Sequence, residues 1–154
     1  MITKICGIKK SETLYCCEKN NVNFFGMIFY EKSPRNISLQ LAKKIQKISN
    51  KLNINGVGVF VDENINKLNL NINELKLDFV QLHGKENNDY IKKIKKLNIK
   101  IIKKISIKNK NDLSDIKNYK DADYFLFDYK PNNSELPGGN AKSFNWNIIK
   151  NLTI

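Results

Sequence analysis

One histidine, one arginine and one tryptophan stand among 154 residues, with only three cysteines and three prolines. The cysteines, Cys6, Cys16 and Cys17, are odd in number and lack CxxC spacing, and neighbours such as Cys16 and Cys17 point apart on a helix. A disulfide framework is disfavoured, and reduced, cytosolic thiols are expected. No run approaches the roughly 18 apolar residues of a membrane span. The amino terminus lacks the apolar stretch of a signal peptide. A soluble, cytoplasmic protein is therefore expected. No GxGxxG follows the first apolar run and no GxxxxGK(S/T) occurs, which removes the main support for dinucleotide and P-loop sites.

Acidic charge is also scarce: 15 Asp+Glu face 27 Lys+Arg, a formal charge of +12. Such an excess attracts nucleic acid, acidic membranes or anionic substrates. A biased residue pool explains it equally, because Lys, Asn and Ile dominate throughout. The lysines are scattered, with Lys92, Lys93, Lys95 and Lys96 on a predicted helix and Lys103 and Lys104 near a strand end. Nucleic-acid binders concentrate charge on one face among aromatics. Solvated lysines are the expectation here; a basic nucleic-acid-binding protein is the least favoured alternative, and neither specific nucleic acid nor membrane is an expected partner.

What is present is a regular alternation of apolar runs and amphipathic stretches. Strands are predicted over 1–6, 24–29, 56–61, 77–82, 99–105 and 122–127. Ser11 is placed as the cap of a first helix to about Asn20. Ser38 opens a second, with Leu39, Ala42, Ile45, Ile48 and Leu52 along one stripe. Asp62 is placed as the cap of an Asn-rich helix to Leu75. Further helices are expected over 87–97 (burying Tyr90, Ile91, Ile94 and Leu97), 109–119 and 144–152. Near-continuous apolar strands separated by helices imply a parallel α/β sheet, wound as a barrel or as a doubly wound sheet.

Four chemically distinct groups follow or end these strands: Cys6, Arg35, His83 and Asp128. Ligands of parallel α/β folds bind at that carboxyl-terminal rim. A doubly wound sheet gathers its site at one switch point, whereas a barrel gathers side chains from all strand ends. The spread over units one, two, four and six favours the barrel. Taken singly, each group has a plain structural reading. Cys6 reads as apolar filler, Asp128 as a turn or cap, His83 as a satisfied structural residue and Arg35 as a surface residue before a helix.

Six segments together resemble phosphoribosylanthranilate isomerases: Lys4–Gly7, Gly26–Arg35, Val57–Val61, Val80–Gly84, Leu126–Asp128 and Gly138–Trp146. They keep that family's order and spacing over almost the whole chain. The resemblance implies a (β/α)8 TIM barrel, here with six of eight βα units in one domain, 1–154. It also implies an Amadori rearrangement in tryptophan biosynthesis, converting N-(5-phosphoribosyl)anthranilate to 1-(2-carboxyphenylamino)-1-deoxyribulose 5-phosphate without cofactor or metal. By that resemblance Asp128 is the general acid and Cys6 the general base, with Arg35 and His83 binding substrate. The residue types suit these tasks. Burial helps a carboxyl keep its proton, a free thiol (pKa about 8.5) ionises beside a cation, and guanidinium grips carboxylate in two-pronged fashion.

Two departures stand out. A complete barrel usually runs to about 200 residues or more, and the loops after its seventh and eighth strands usually bind phosphate. The expectation is therefore either an isomerase or a non-catalytic barrel fragment needing a complementing chain, with self-association or complementation through open sheet edges. The partner expected at the mouth is a small phosphorylated substrate. Second, Ala141 stands where the family usually has Gly, and a Cβ there narrows the backbone's options.

Overall fold

The six apolar runs lie side by side as parallel strands in the order in which they occur. A computed structural model describes residues 2–152; Met1, the expected start of the first strand, lies outside them. The strands are β1 (Lys4–Cys6), β2 (Phe24–Phe29), β3 (Asn55–Phe60), β4 (Phe79–Leu82), β5 (Lys100–Ile107) and β6 (Tyr124–Tyr129). Sequential order decides the winding. A doubly wound sheet reverses its strand order at a switch point, and no reversal occurs here. The sheet curls in one direction, as a half-barrel of six βα units.

Helices α1 (Ser11–Lys19), α2 (Leu39–Leu52), α3 (Ile65–Leu75) and α4 (Asn88–Lys95) touch one another in succession, so they cover one face. Alternate strand residues turn toward them. Phe25, Met27, Phe60, Val80, Leu82 and Ile101 join Leu14, Ile45, Leu68 and Ile91 in the main core. Each such side chain contributes roughly 1.5–3 kcal/mol by leaving water. The other alternates line the concave face, where the Phe24 and Phe79 rings meet edge-on at 4.9 Å.

Local chemistry explains most boundaries. Ser38 Oγ accepts the Leu41 N–H and caps α2, as its position predicts. Ser11 instead is the first residue of α1, after an uncapped Lys10. Asn64, not Asp62, caps α3. Asp62 adopts a left-handed φ of 49° and its carboxylate accepts the Lys85 N–H at 2.5 Å. Helix α4 ends at Lys95, leaving Leu97 exposed. The expected helix over 109–119 forms as a 3₁₀ segment, Lys110–Asn118, behind an Asn109–Asp112 capping box. Leu113, Ile116 and Tyr119 repeat every third residue, the period that such a winding brings into line. The final helix shrinks to a 3₁₀ turn, Trp146–Ile148, because Trp146 stacks on Phe144 at 5.8 Å and stays exposed instead of entering the core.

Lys103 and Lys104 are not solvated. On the helical side of β5, Lys103 forms an ion pair with Glu86 at 2.8 Å, the two side chains 1% and 2% exposed. Lys103 also donates to the Gly84 carbonyl at 2.8 Å. The Glu86 carboxylate accepts the N–H groups of Asp62 at 2.8 Å and of Gly84 at 3.1 Å. One buried pair thus ties the chain leaving β3 to the turn leaving β4.

Candidate active site

The strand ends converge on one cavity of about 370 Å³, lined by Cys6, Arg35, His83 and Asp128. That volume lies within the range of small-molecule sites. All four residues singled out from the sequence are therefore neighbours, although they come from four separate βα units. Lys4, Tyr30, Gln81 and Leu126 add to the lining, and Leu136–Gly139 forms a wall.

Cys6 ends β1, and its sulfur lies over Gly26 of β2; a Cβ at Gly26 would meet Sγ at 2.6 Å and Lys4 Nζ at 3.0 Å. Thiol and ammonium therefore flank the same bare backbone position. Arg35 follows a turn in which Ser33 N–H reaches the Tyr30 carbonyl at 2.9 Å and Ile37 N–H reaches the Ile28 carbonyl at 2.9 Å. Its guanidinium donates to the Cys6 carbonyl at 3.0 Å. The space it occupies exists because residue 7 is glycine, with φ +86° and no Cβ to meet Arg35 Cδ at 2.6 Å.

His83 is held from both sides. Gln81 Nε2 lies 2.9 Å from His83 Nδ1, and with the amide donating there the imidazole proton sits on Nε2, a tautomer assigned from this network. Nε2 faces Asp128 Oδ2 at 3.4 Å, longer than an ordinary N–H···O bond and therefore an electrostatic contact. Burial raises the Asp128 carboxyl, but His83, the Tyr129 N–H and Lys104 outweigh it, and the pKa lies below the ordinary value. This corrects the expectation that burial keeps Asp128 protonated: without ligand, the carboxylate is the favoured form. The cause is company rather than exposure.

Sequence reasoning passed over Gln81 and Lys4. Each lies two residues before a chosen group, on the same face of its strand by the period of two, which was the available signal. The segment just after the Leu136–Gly139 wall holds a strained residue. Ala141 adopts a left-handed φ of 52°, a conformation that costs an L-residue about 1–2 kcal/mol. Glycine loses roughly 0.5–1 kcal/mol of that gain to its greater unfolded-state freedom. Ala141→Gly is therefore expected to stabilise the protein by about 0.5–1 kcal/mol, read as a rise in the urea midpoint at constant slope. A fall in the midpoint would show that the Cβ makes contacts worth more than the strain.

The family model described as N-(5'phosphoribosyl)anthranilate (PRA) isomerase matches residues 3–153. The N-(5'-phosphoribosyl)anthranilate isomerase of Clostridium acetobutylicum is 39% identical over 150 residues, which cover 96% of this chain and 68% of that protein. The solved phosphoribosyl anthranilate isomerase of Thermotoga maritima superposes with a TM-score of 0.83 at 33% identity, covering 97% of this chain and 70% of that one. A further solved phosphoribosyl anthranilate isomerase, in complex with reduced 1-(o-carboxyphenylamino)-1-deoxyribulose 5-phosphate, gives 0.77 at 32% identity, covering 84% and 66%. The chain spans about two thirds of the length of these proteins.

Proposed function

The chain belongs to the N-(5'-phosphoribosyl)anthranilate isomerase family, and from that premise we propose how the groups at its mouth divide the work. The reaction is the Amadori rearrangement of N-(5-phosphoribosyl)anthranilate, a step of tryptophan biosynthesis. Asp128 protonates the ribose ring oxygen; the C1–O bond breaks and the aniline nitrogen's lone pair forms the open-chain iminium. Cys6, as thiolate, removes the C2 proton, and the C2–H electrons form the C1=C2 bond while the iminium electrons return to nitrogen. The resulting enolamine gains a proton at C1 from the Cys6 thiol and loses the C2 hydroxyl proton to the Asp128 carboxylate, giving the ketose and returning both groups to their starting forms.

Each role has physical support. The Cys6 sulfur reaches into the cavity over the bare backbone of Gly26, with Lys4 Nζ on the same position. Asp128 must be protonated when the ring opens. A substrate carrying carboxylate and phosphate adds negative charge and displaces water, and both effects drive a carboxylate to take up a proton. His83, with its Nε2 proton directed at Asp128, orients that carboxyl and borders the same cavity. Arg35 receives the anthranilate carboxylate, with its position held by the Cys6 carbonyl. The observation that carries this reading is the meeting of thiol, carboxyl, imidazole and guanidinium in one cavity.

Residues 1–154 are read as one incomplete barrel domain, and the three free thiols accord with a cytosolic setting. A second reading has its own observation. Among the described residues β1 pairs only with β2 and β6 only with β5, and every residue of β6 is at least partly exposed. Such edges accept a complementing chain or a second copy, and the protein is on this reading a binding module.

Loss of substrate fluorescence on addition of the purified chain separates the two. Steady consumption supports the isomerase. A folded chain that binds the reduced product analogue without consuming substrate supports the complementing module, and a folded chain that does neither contradicts both.

A further inference from the structure

Lys104 is a buried cation that the mechanism above does not use. It faces the concave side of β5, two residues before Ser106, which pairs across the sheet with Asp128. Only 8% of it is exposed. Lys103 beside it has the Glu86 carboxylate; the Lys104 ammonium makes no ion pair among the described residues and donates instead to the Pro137 carbonyl at 3.1 Å. Pro137 lies within the Leu136–Gly139 stretch that forms the cavity wall. Its next two residues pack directly on the site: a Cβ at Gly138 would strike His83 Nε2, and one at Gly139 would lie 3.3 Å from an Arg35 terminal nitrogen.

We propose that Lys104 is a positioning residue of this site, anchoring the Pro137–Gly139 wall against His83 and Arg35 from inside the barrel. A carbonyl is a costly partner for a buried ammonium, since desolvation opposes the charge. Part of that cost is offset by Asp128 on the neighbouring strand: burial, and after it the Lys103 charge, pull the Lys104 pKa below its ordinary value, and the Asp128 carboxylate opposes them. The ammonium therefore does two things at once. It fixes a loop that otherwise carries two consecutive glycines, and it stabilises the ionised form of Asp128 from below. Neither effect is available to an apolar side chain of the same length.

The proposal rests on the isomerase reading for its meaning, but its test does not need turnover. Backbone ¹⁵N relaxation is measured by NMR in the chain itself, in Lys104→Met and in Lys104→Arg. Losing the anchor at the Pro137 carbonyl predicts that order parameters at Gly138 and Gly139 fall from about 0.85, the value of rigid backbone, to below about 0.6 in Lys104→Met. Those of β5 should not change, and Lys104→Arg should restore order at the wall. Affinity for the reduced product analogue should fall in Lys104→Met and recover in Lys104→Arg. Unchanged order parameters at the two glycines in Lys104→Met overturn the proposal, and so does a fall spread equally through β5. Should Lys104→Met not fold, Lys104→Gln, whose amide is too short to reach Pro137, is read in the same way. A wild-type chain that fails to bind the analogue contradicts the isomerase reading alone, because the relaxation comparison stands without it.

Discussion

Asp128→Asn is expected to lower isomerase kcat by roughly 10²–10⁴, the usual contribution of a positioned acid or base, equivalent to about 3–5 kcal/mol of transition-state stabilisation at 1.36 kcal/mol per factor of ten. Asparagine keeps the shape of the side chain beside His83 and the acceptor for the Tyr129 N–H. It removes the transferable proton, and with it the charge that faces His83 and Lys104 in the unliganded site. KM should therefore change little, since the lost interaction belongs to the transition state. Cys6→Ser should be as damaging for a different reason: a hydroxyl fills the space over Gly26 but ionises far too weakly to take a carbon-bound proton. The two losses should not add, because ring opening and proton removal act in sequence on one substrate. Steady-state assays of both variants, in a barrel carrying all eight units, check this. Full activity in either one removes that residue from the mechanism.

Lys103→Met should destabilise the fold by about 3–5 kcal/mol, because it leaves the Glu86 carboxylate buried without its counter-ion. The pair is almost wholly hidden from water, so the discount that applies to surface ion pairs does not apply here. Against a typical stability of 5–15 kcal/mol, this is a large share. The damage should concentrate at the turn holding Gly84, whose carbonyl and N–H both depend on the pair. Adding Glu86→Gln to Lys103→Met should recover part of the loss, since the amide oxygen still accepts from Asp62 and Gly84 while carrying no charge. Urea unfolding monitored by circular dichroism supplies the numbers. A loss below about 1 kcal/mol would mean that water or a neighbouring group solvates Glu86 once Lys103 is gone.

Strand placement and helix caps were legible in the residues where they depend on short-range patterns, and the winding and site membership from the spread of polar groups over the strand ends. Phe24–Phe29 is apolar without interruption and forms β2 over those same residues. Ser38 sits directly before an apolar stripe and caps it. Cys6, Arg35, His83 and Asp128 were placed at one rim by counting strand ends, and one cavity holds them. Direction and company were not legible. Lys103 and Lys104 look alike as letters, yet the period of two sends one to Glu86 beneath the helices and the other into the barrel toward Pro137. The lowering of the Asp128 pKa against burial comes from His83, the Tyr129 N–H and Lys104, of which His83 and Lys104 reach it only through strand pairing. Trp146 shows a related limit: its size argues for burial, but it stacks on Phe144 and stays exposed.

The most direct test is a crystal structure of the chain with the reduced product analogue bound. The anthranilate carboxylate should lie against the Arg35 guanidinium. The carbon corresponding to C2 should sit near Cys6 Sγ at about 3–3.5 Å, the separation of groups poised to react, with Asp128 facing the sugar oxygens from the opposite wall. An analogue that binds with its carboxylate away from Arg35 and its sugar carbons out of reach of both Cys6 and Asp128 would contradict the assignment.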